Sequence, residues 1–429
     1  MASGERLRLL FCDHLNLARG KYLPAAKMGD GSSRFCLGVY AVSYAKDLIP
    51  APGSKMLEGL PDYDAVYKAA DIRAGWEPNT KVVIADQYDN DGTPLPLCGR
   101  GALKRAIADW QKLGFSPKVG LELEAYAFVR NAEGKWVPYD TPGAFVYSTG
   151  PFTDPQGFTN AIWEKATAAG FRIDCFTSEY DSPQFEFTLT YDEALRAVDD
   201  VFLFRLLARE VAWQHGVLLT FMPKPILNLA GSGLHVNFSF NDENGRNAIG
   251  DATDPAKMPA LTRGCIAGLM HHHAGMAGLI APSVNSYDRL KPASLSGFWR
   301  NWGVDHRGVT TRLSAEGGAK SRIEHRMADG MANPYTMVAT ILQAARLGFV
   351  NNYALAPSET SDCLGSQNAK DGVSENLTGA LNALVADEAL VKAVGQGLVD
   401  NHVFVKHHEV ERVAGLEGDA LRDYYINFI

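Results

Sequence analysis

Four segments of this chain alternate between apolar and polar residues, and their polar positions carry acids, a histidine and arginines. The segments cover residues 119–129, 184–190, 234–240 and 322–327. Because successive side chains of a strand point to opposite faces, a period of two predicts four β-strands, each with one polar face. One polar and one apolar face is typical of an antiparallel sheet, so we expect a fold built around such a sheet.

The polar faces carry groups with an evident chemistry. An ordinary solvated sheet face would explain each strand taken alone. Together, acids in strands that are otherwise apolar indicate an enclosed site, in which a metal or arginine neutralises them. Carboxylates with one imidazole suit Mg²⁺ or Mn²⁺, and arginines suit phosphate or carboxylate. The residues therefore favour metal-assisted phosphoryl transfer with an acidic substrate. The polar positions are Glu122, Glu124, Gln184, Glu186, Thr188, His235, Asn237, Ser239, Arg322, Glu324 and Arg326.

Composition excludes several other classes of protein. The 41 Lys and Arg against 49 Asp and Glu give a net charge of −8, so the basic footprint typical of nucleic-acid binding is absent overall. No run of about 18 uncharged apolar residues predicts a membrane span, and the N-terminus does not resemble a secretory signal. The six cysteines are scattered without a CxxC pair, and we expect reduced thiols in a cytoplasmic protein.

A helical period begins just after the turn-rich segment 91–100, with apolar residues at Leu103, Ile107 and Trp110. We therefore place a domain boundary near residue 100, which divides the chain into domains of 1–100 and 101–429. Further helices are predicted over 155–169, 192–215, 260–279, 334–349, 377–384 and 389–394, and from about residue 400 onward.

Six separated motifs resemble the glutamine synthetase family, in the family's order and across nearly the whole chain. The segments RGK (19–21) and MGDGSS (28–33) resemble its small N-terminal domain, and the C-terminal end resembles the polyamine-type branch. The six motifs are GLELEAYAF (120–128), SEYDSPQFEF (178–187), TFMPKP (220–225), GSGLHVNFS (231–239), APSVNSYDRL (281–290) and RIEHRMADGMANPY (322–335).

The resemblance implies an α+β fold and an ATP-dependent activity. A small β-grasp-like N-terminal domain over 1–100 would precede a large catalytic domain over 101–429, with a curved antiparallel sheet and flanking helices. Glutamate's side-chain carboxylate would take the γ-phosphoryl group of ATP, and an amine would then attack the acyl phosphate. Two or more Mg²⁺ or Mn²⁺ ions per site would assist this reaction.

The family assembles as two stacked hexameric rings with active sites between neighbours, so the resemblance also implies a homo-oligomer, a dodecamer. The apolar C-terminal residues have two interpretations: docking on a partner subunit or docking within the same chain. They are Tyr424, Tyr425, Phe428 and Ile429.

The resemblance also assigns roles to individual positions. It places one metal on Glu124, Glu179 and Glu186, and a second on Glu122, His235 and Glu324. Strand alternation groups five of these six, because Glu179 precedes its strand. The remaining implied roles are phosphate and ATP binding for Ser239, Arg307, Arg312, Lys320 and Arg322, glutamate binding for Gly231, Arg289 and Arg326, and a catalytic set of Asp30, donated by a neighbouring subunit, with Arg307 and Glu179.

Two departures from the family pattern concern the amine substrate. Ammonia-using members carry a glutamate six positions after the arginine of NSYxRL, and here Leu295 occupies that position. A leucine neither accepts a proton nor pairs with a cation, but it offers an apolar wall to an alkyl or aryl group. Asp181, Ser182 and Pro183 replace a Gly-Pro-Gly of similar members, and Asp181 adds a carboxylate able to pair with a cationic amine.

Three interpretations of function follow from these positions. The favoured one is a glutamate–amine ligase similar to the γ-glutamylpolyamine, γ-glutamylmethylamide and γ-glutamylethanolamide synthetases. The second is a true glutamine synthetase that uses ammonia. The third is a non-catalytic family member, which the six filled ligand positions disfavour. An acid other than glutamate also stays open, since Arg289 and Arg326 argue only for a carboxylate-bearing substrate.

Overall fold

The computed structural model describes residues 4–250, 257–314, 316–363 and 369–429. The first 90 residues form two small sheets. One has the order β2-β1-β6-β5, in which β1 and β6 are parallel, and the other is the antiparallel β3-β4-β7. These strands are β1 (Arg6–Cys12), β2 (Ala18–Pro24), β3 (Gly31–Cys36), β4 (Asp62–Tyr67), β5 (Arg73–Ala74), β6 (Thr80–Ile84) and β7 (Asp86–Tyr88).

A larger sheet follows, in the order β10-β11-β8-β14-β17-β16-β15, and β9, β12 and β13 also pair with β8. Its pairings are antiparallel except for β15 with β16. The four predicted strands correspond to β8, β11, β14 and β17, and the last is shorter than predicted. The strands are β8 (Ser116–Arg130), β9 (Trp136–Pro138), β10 (Ile173–Ser178), β11 (Gln184–Leu189), β12 (Asp192–Glu193), β13 (Leu218–Thr220), β14 (Leu234–Asn241), β15 (Trp302–Val304), β16 (Thr311–Leu313) and β17 (Ile323–His325).

Helices pack on the apolar face of this sheet. Trp110 lies at the contact, with its ring centroid 4.1 Å from that of Phe240 on β14. The helices are α1 (Gly99–Gln111), α2 (Phe158–Ala168), α3 (Ala194–Gln214), α4 (Ala260–His271), α5 (His273–Ile280), α6 (Ser286–Arg289), α7 (Pro334–Val350), α8 (Leu377–Ala386), α9 (Glu388–Val394), α10 (Gln396–Arg412) and α11 (Gly418–Tyr425). The mixture confirms the α+β class, and the division at residue 100 stays a prediction.

Helix α4 approaches α7 closely because small residues face each other across the contact. A Cβ atom added at Gly268 would lie 2.1 Å from the carbonyl oxygen of Ala344, a distance that no side chain tolerates. The contact therefore requires glycine at this position.

The single helix predicted over 260–279 is wrong, because the chain breaks it at His272 into α4 and α5. The backbone of His272 leaves helical geometry (φ −91°, ψ 10°). Its Nδ1 lies 2.7 Å from a carboxylate oxygen of Asp387, at the start of α9. This long-range contact between two distant segments has no signal in local periodicity.

The C-terminal residues dock within the same chain, which is the second of the two interpretations. Tyr44 contacts the rings of Tyr425 and Phe428 at centroid distances of 5.6 and 5.5 Å. Arg209 donates to the carbonyl oxygen of Phe428 at 2.6 Å, and Ile429 is fully buried. The chain end therefore completes the core of its own subunit.

All six cysteines are free, in line with the expected reduced thiols. Within the described ranges, none of the helices combines the length and the apolar character needed to cross a bilayer.

A buried ion pair near this end makes a test of stability. Lys406 and Glu409 lie 2.7 Å apart with side chains 2% and 1% exposed, and Tyr425 donates to the same carboxylate. Glu409→Gln leaves the Lys406 charge buried without a counter-charge, and we expect the free energy of unfolding to fall by about 3–5 kcal/mol. Urea denaturation measures the loss.

Lys112→Gln serves as the control for this ion pair, because Lys112 pairs with Asp109 while its side chain is 74% exposed. We expect a change within about 1 kcal/mol. Equal losses in the two variants would contradict the importance assigned to burial.

Candidate metal and substrate centre

Strand β8 brings the acidic side chains together, because it lies in the sheet between β11 and β14. Glu186 of β11 is directly opposite Glu124, and His235 of β14 is directly opposite Glu122. On β17, Glu324 pairs in register with Asn237 of β14. Alternation along β8 points Glu122 and Glu124 to the same face, so these cross-strand neighbours converge there.

The converging side chains form two groups of three. One consists of Glu122, His235 and Glu324, and the other of Glu124, Glu179 and Glu186. Within each group, the carboxylate oxygens and the imidazole nitrogen lie within 4.8 Å of one another. The six predicted positions thus assemble in the predicted grouping, and Glu179 reaches its group from the turn between β10 and β11. Their role as ligands stays a prediction.

His235 belongs to the first group and also faces a carboxylate of the second. Its Nδ1 is 3.1 Å from Glu122 Oε2 and 3.7 Å from Glu324 Oε1, and its Nε2 is 3.6 Å from Glu124 Oε1. Asn237 donates to Glu122 Oε1 at 2.9 Å. The two groups therefore belong to one continuous centre with a shared imidazole.

The group around Glu186 carries more negative charge than its surroundings compensate. Burial and the neighbouring charges of Glu122 and Glu124 raise the pKa of Glu186 to about 8. Burial and the charge of Glu124 likewise raise the pKa of Glu179. Glu186 therefore holds a proton near neutral pH unless a cation takes its place.

The negative charge of the group around Glu122 is compensated by neighbouring hydrogen-bond donors and positive charges. Burial opposes ionisation of Glu122, but hydrogen bonds from His235 and Asn237, together with the charges of His235 and Arg326, lower its pKa to about 2. Glu324 is also buried, and the charges of Arg326 and His235 lower its pKa. The two groups thus differ in what neutralises them.

The donor set fits hard divalent cations. Five carboxylates and one imidazole, arranged with oxygen atoms a few ångströms apart, are the ligands that Mg²⁺ and Mn²⁺ prefer. The raised pKa of Glu186 shows that the group lacks positive charge in the protein alone, which is what a bound cation would supply.

Three of the predicted arginines surround Glu324 and Asn237. Arg326 donates to one oxygen of Glu324, and Arg312 donates to the other at 3.1 Å. Arg322 donates to the side-chain oxygen of Asn237 at 3.2 Å. They form a cationic border on the β17 side of the acidic centre.

Within the described part of the chain, the other residues predicted to bind phosphate and ATP form no hydrogen bond or ion pair with Glu324 or Asn237. Arg307 is exposed between β15 and β16. Lys320 is also exposed and lies 3.8 Å from Glu316, which in turn accepts a hydrogen bond from Arg322 at 2.6 Å. Ser239 follows His235 and Asn237 on the same face of β14.

The predicted glutamate-binding residues lie against one another. A Cβ atom added at Gly231 would be only 2.6 Å from Cγ of Arg289, so the loop backbone touches this side chain. Arg289 is 4% exposed and donates to the carbonyl oxygens of Met327 and Arg326 at 2.8 and 3.0 Å. These two carbonyl oxygens therefore occupy two of the five N–H donors of the guanidinium group.

The two residues predicted for the amine pocket lie on loops beside the centre. Asp181 accepts a hydrogen bond from the backbone N–H of Ala230, which ties it to the loop that contains Gly231. Leu295 is 38% exposed with a left-handed backbone (φ 54°). Its loop packs on the segment that follows β17, since a Cβ atom at Gly297 would lie 2.7 Å from Cα of Met327.

Asp30 lies directly before β3, in the N-terminal part of the chain. It is exposed and accepts hydrogen bonds from the N–H of Ala69 at 2.8 Å and from Lys68 at 3.1 Å. Among the described residues, none of its hydrogen bonds reaches the acidic centre. A single chain does not bring Asp30 to the other predicted site residues.

Gln184 was missed as a site residue, although alternation had placed it on the polar face beside Glu186. It is 2% exposed and contacts both Glu124 and Gly231. A buried amide two residues before an acid on the same strand face is a signal of such a role.

Comparisons with known proteins agree with this geometry. Residues 96–422 match the family model described as the catalytic domain of glutamine synthetase. The glutamine synthetase of Clostridium saccharobutylicum is 33% identical over 363 residues, which cover 82% of this chain and 81% of its own. The glutamine synthetase of Halobacterium salinarum is 28% identical over 430 residues, which cover 98% of this chain and 93% of its own.

Two solved structures share the fold over nearly the whole chain. A glutamine synthase homologue superposes with a TM-score of 0.85 at 22% identity, covering 100% of this chain and 99% of its own. The complex of GmaS with ADP superposes with a TM-score of 0.83 at 25% identity, covering 99% of this chain and 97% of the GmaS chain.

We expect Mn²⁺ affinity to increase as the pH rises toward about 8 and to level off above it. Because the pKa of Glu186 is raised to about 8, this carboxyl holds a proton at pH 7 that the cation must displace. One displaced proton corresponds to about a tenfold gain in affinity per pH unit below the pKa. Isothermal titration calorimetry from pH 6 to 9, in buffers of different ionisation enthalpy, counts the protons released.

Glu186→Gln should abolish this proton release and weaken Mn²⁺ binding. Glu193→Gln is the matched control, since Glu193 lies on the same sheet with its side chain 57% exposed beside Lys118. Mn²⁺ affinity that does not vary between pH 6 and 8 would contradict the charge excess at Glu186.

Proposed function

The chain belongs to the glutamine synthetase family, a family of ligases, and we propose that it forms a γ-glutamyl amide from glutamate and a primary amine other than ammonia, with ATP as co-substrate. The pair of acidic groups bordered by Arg312, Arg322 and Arg326 carries the proposal of ATP-dependent ligation. Leu295 carries the proposal that the amine bears carbon.

The proposed reaction has two steps. The side-chain carboxylate of glutamate attacks the γ-phosphorus of ATP, so ADP leaves and γ-glutamyl phosphate forms. The neutral amine then attacks the acyl carbon, phosphate leaves, and the nitrogen loses one proton. Divalent cations bound to the two acidic groups would supply the positive charge that phosphoryl transfer between two anions requires.

Each acidic group has a proposed cation of its own. Glu124, Glu179 and Glu186 would hold one, and its arrival would displace the proton that Glu186, with its pKa raised to about 8, holds near neutral pH. The second group would hold the other with fewer protons to displace, since the pKa values of Glu122 and Glu324 are lowered. Its ligands would be Glu122, His235 and Glu324.

The cationic border is proposed to bind ATP and the transferred phosphoryl group. Arg312 and Arg322 already lie at the centre, and guanidinium groups stabilise the charge that develops on phosphoryl oxygens. Arg307 and Lys320 are exposed at the same edge and add positive charge there. Ser239 is proposed to lie on the nucleotide side.

Glutamate is proposed to bind between Arg326, Arg289 and the backbone of Gly231. Arg289 keeps N–H donors beyond the two that its carbonyl contacts use, and Arg326 is 8% exposed beside Glu324. Two buried guanidinium groups at one site favour a substrate with more than one carboxylate.

The amine is proposed to approach between Leu295 and the turn that carries Glu179 and Asp181. Leu295 keeps part of its side chain exposed to a ligand. Asp181 is held by the N–H of Ala230, so its position relative to the glutamate loop is set before the amine arrives. The fold of GmaS, a γ-glutamylmethylamide synthetase, matches 99% of this chain. This similarity supports an alkylamine as the amine substrate.

A second candidate function is glutamine synthesis from ammonia. The observation that favours it is the name of the sequence relatives, because the proteins of C. saccharobutylicum and H. salinarum are glutamine synthetases. The two candidates share the phosphoryl-transfer step and differ only in the nucleophile.

An amine panel separates the two candidates. ADP release is measured with Mg²⁺, glutamate and ATP across ammonium, methylamine, ethanolamine and longer mono- and diamines, in the wild type and in Leu295→Glu. We expect an organic amine to be the best co-substrate of the wild type. In Leu295→Glu, a carboxylate at the amine site should raise kcat/KM for ammonium by about tenfold, or about 1.4 kcal/mol.

Leu57→Glu is the control for the added charge, because Leu57 is an exposed leucine (87%) in the N-terminal part of the chain. It should leave the ranking of amines unchanged. Ammonium as the best co-substrate of the wild type would overturn the amine proposal and favour glutamine synthesis.

Asp30 is proposed to complete the amine site of a neighbouring subunit in a homo-oligomer, a dodecamer of two hexameric rings. Its exposure and its hydrogen bonds to Lys68 and Ala69, rather than to the acidic centre, support a role across an interface. We expect Asp30→Asn to lower kcat by a factor of about 100 or more. Co-expression with Glu186→Gln should restore part of the activity, since mixed interfaces pair an intact Asp30 with an intact acidic centre.

An affinity tag on only one of the two variants, followed by pull-down of the other, reports whether mixed assemblies form. Mixed oligomers without any recovery of activity, or a fully active monomer at high dilution, would refute the role of Asp30 across subunits.

A further inference from the structure

The loop 230–233 is fastened to the strands of the acidic centre by a set of buried contacts. Tyr126 of β8 donates to the carbonyl oxygen of Ala230 at 2.8 Å. The N–H of Gly233 donates to Glu124 Oε2, also at 2.8 Å. The proposed glutamate loop therefore touches a proposed metal ligand directly.

Gln184 makes a second connection between the loop 230–233 and Glu124. Its side-chain nitrogen lies 3.1 Å from the carbonyl oxygen of Gly231, 3.1 Å from Ser232 Oγ and 3.4 Å from Glu124 Oε2. An amide nitrogen carries two hydrogens, so it serves the loop and the acid together. Its Oε1 is buried without a hydrogen-bond partner among the described residues, so the contacts of the nitrogen set the orientation of the amide.

The two oxygens of Glu124 face in different directions. Oε2 accepts from Gly233 and Gln184, while Oε1 lies 3.6 Å from His235 Nε2 inside the acidic centre. One buried carboxylate thus joins the loop on one side to the centre on the other. A change in the charge that Oε1 faces acts on the hydrogen bonds that Oε2 accepts.

The loop 230–233 is packed too tightly to stay in place if Glu124 moves. A Cβ atom added at Gly233 would lie 2.7 Å from Nη2 of Arg289 and 2.8 Å from Nε2 of His235. At Gly231 the corresponding distance to Cγ of Arg289 is 2.6 Å. Because the loop backbone packs directly on these side chains, a small displacement of Glu124 is passed on to the glutamate site.

We propose that Gln184 is a positioning residue that couples cation binding at the group containing Glu124 to glutamate binding at the loop 230–233. The inference rests on the proposed function, since it takes glutamate as the ligand of this loop. Coupling between two ligands is reciprocal, so Mn²⁺ should tighten glutamate and glutamate should tighten Mn²⁺ by the same factor.

The coupling is measured by calorimetric titration of glutamate into the full-length protein without metal and with saturating Mn²⁺. In the wild type we expect Mn²⁺ to lower the Kd of glutamate by about tenfold or more, within the range of ordinary allosteric coupling. In Gln184→Met, which keeps the volume but removes the donors, we expect the factor to fall below about threefold. This readout does not depend on catalysis.

Tyr126→Phe is the discriminating control. It removes a hydrogen bond to the same loop, at Ala230, without a contact to the carboxylate of Glu124. It should weaken glutamate binding by the same factor with and without Mn²⁺, which leaves the coupling factor unchanged. Gln87→Met, at a buried glutamine of β7 in the N-terminal sheets, controls for the loss of a buried amide in general.

Ser232→Ala provides a second test that does not alter the sheet, in case Gln184→Met fails to assemble. It removes one of the three acceptors of Gln184 and should reduce the coupling factor by about twofold. Gln184→Met or Ser232→Ala with the wild-type coupling factor would overturn the inference. Equal weakening of glutamate binding with and without Mn²⁺ in Gln184→Met would also overturn it, because a merely structural role predicts that result.

Failure of the proposed function has a different signature. A wild-type protein that binds Mn²⁺ but no glutamate, with or without the cation, overturns the assignment of glutamate and this inference with it. Glutamate binding with retained coupling in Gln184→Met overturns this inference alone.

Discussion

The repulsion among carboxylates on one face of β8 is the constraint on which the rest of the centre depends. Glu122 and Glu124 point to the same side, and the registers of β11, β14 and β17 add Glu186 and Glu324 beside them. Such a concentration of acids is stable only with protons, hydrogen-bond donors or cations around it. The positions of His235, the arginines and Gln184 are all consistent with this requirement.

The protein meets the requirement differently in the two groups. Around Glu122, an imidazole, an amide and arginine supply compensation, and the carboxylates are ionised in the protein alone. Around Glu186, burial and the charges of the neighbouring carboxylates prevail, and they raise the pKa of this carboxyl to about 8. Cation binding at the group of Glu186 is thus expected to depend on pH, whereas the carboxylates of the other group are ionised before a cation binds.

Much of the fold was predictable because its strands and helices have clear periods. Strands β8, β11 and β14 and the helices around them lie where alternation and helical periodicity place them. The break between α4 and α5 was not predictable, since the contact of His272 with Asp387 joins residues far apart in the chain. The shorter β17 and the docking of Ile429 likewise depend on neighbours that no local window contains.

The sequence by itself determined which side chains face the site, because a period of two assigns each residue of a strand to one face. Similarity added Glu179, which lies outside any strand. Similarity also implied how these residues divide into two groups. The tertiary structure brings each group together, since strand register arises from pairing between distant segments. It also decided that Gln184 joins Glu124 to the loop at Gly231 and that Asp30 stays apart, because both depend on distances that only a folded chain defines.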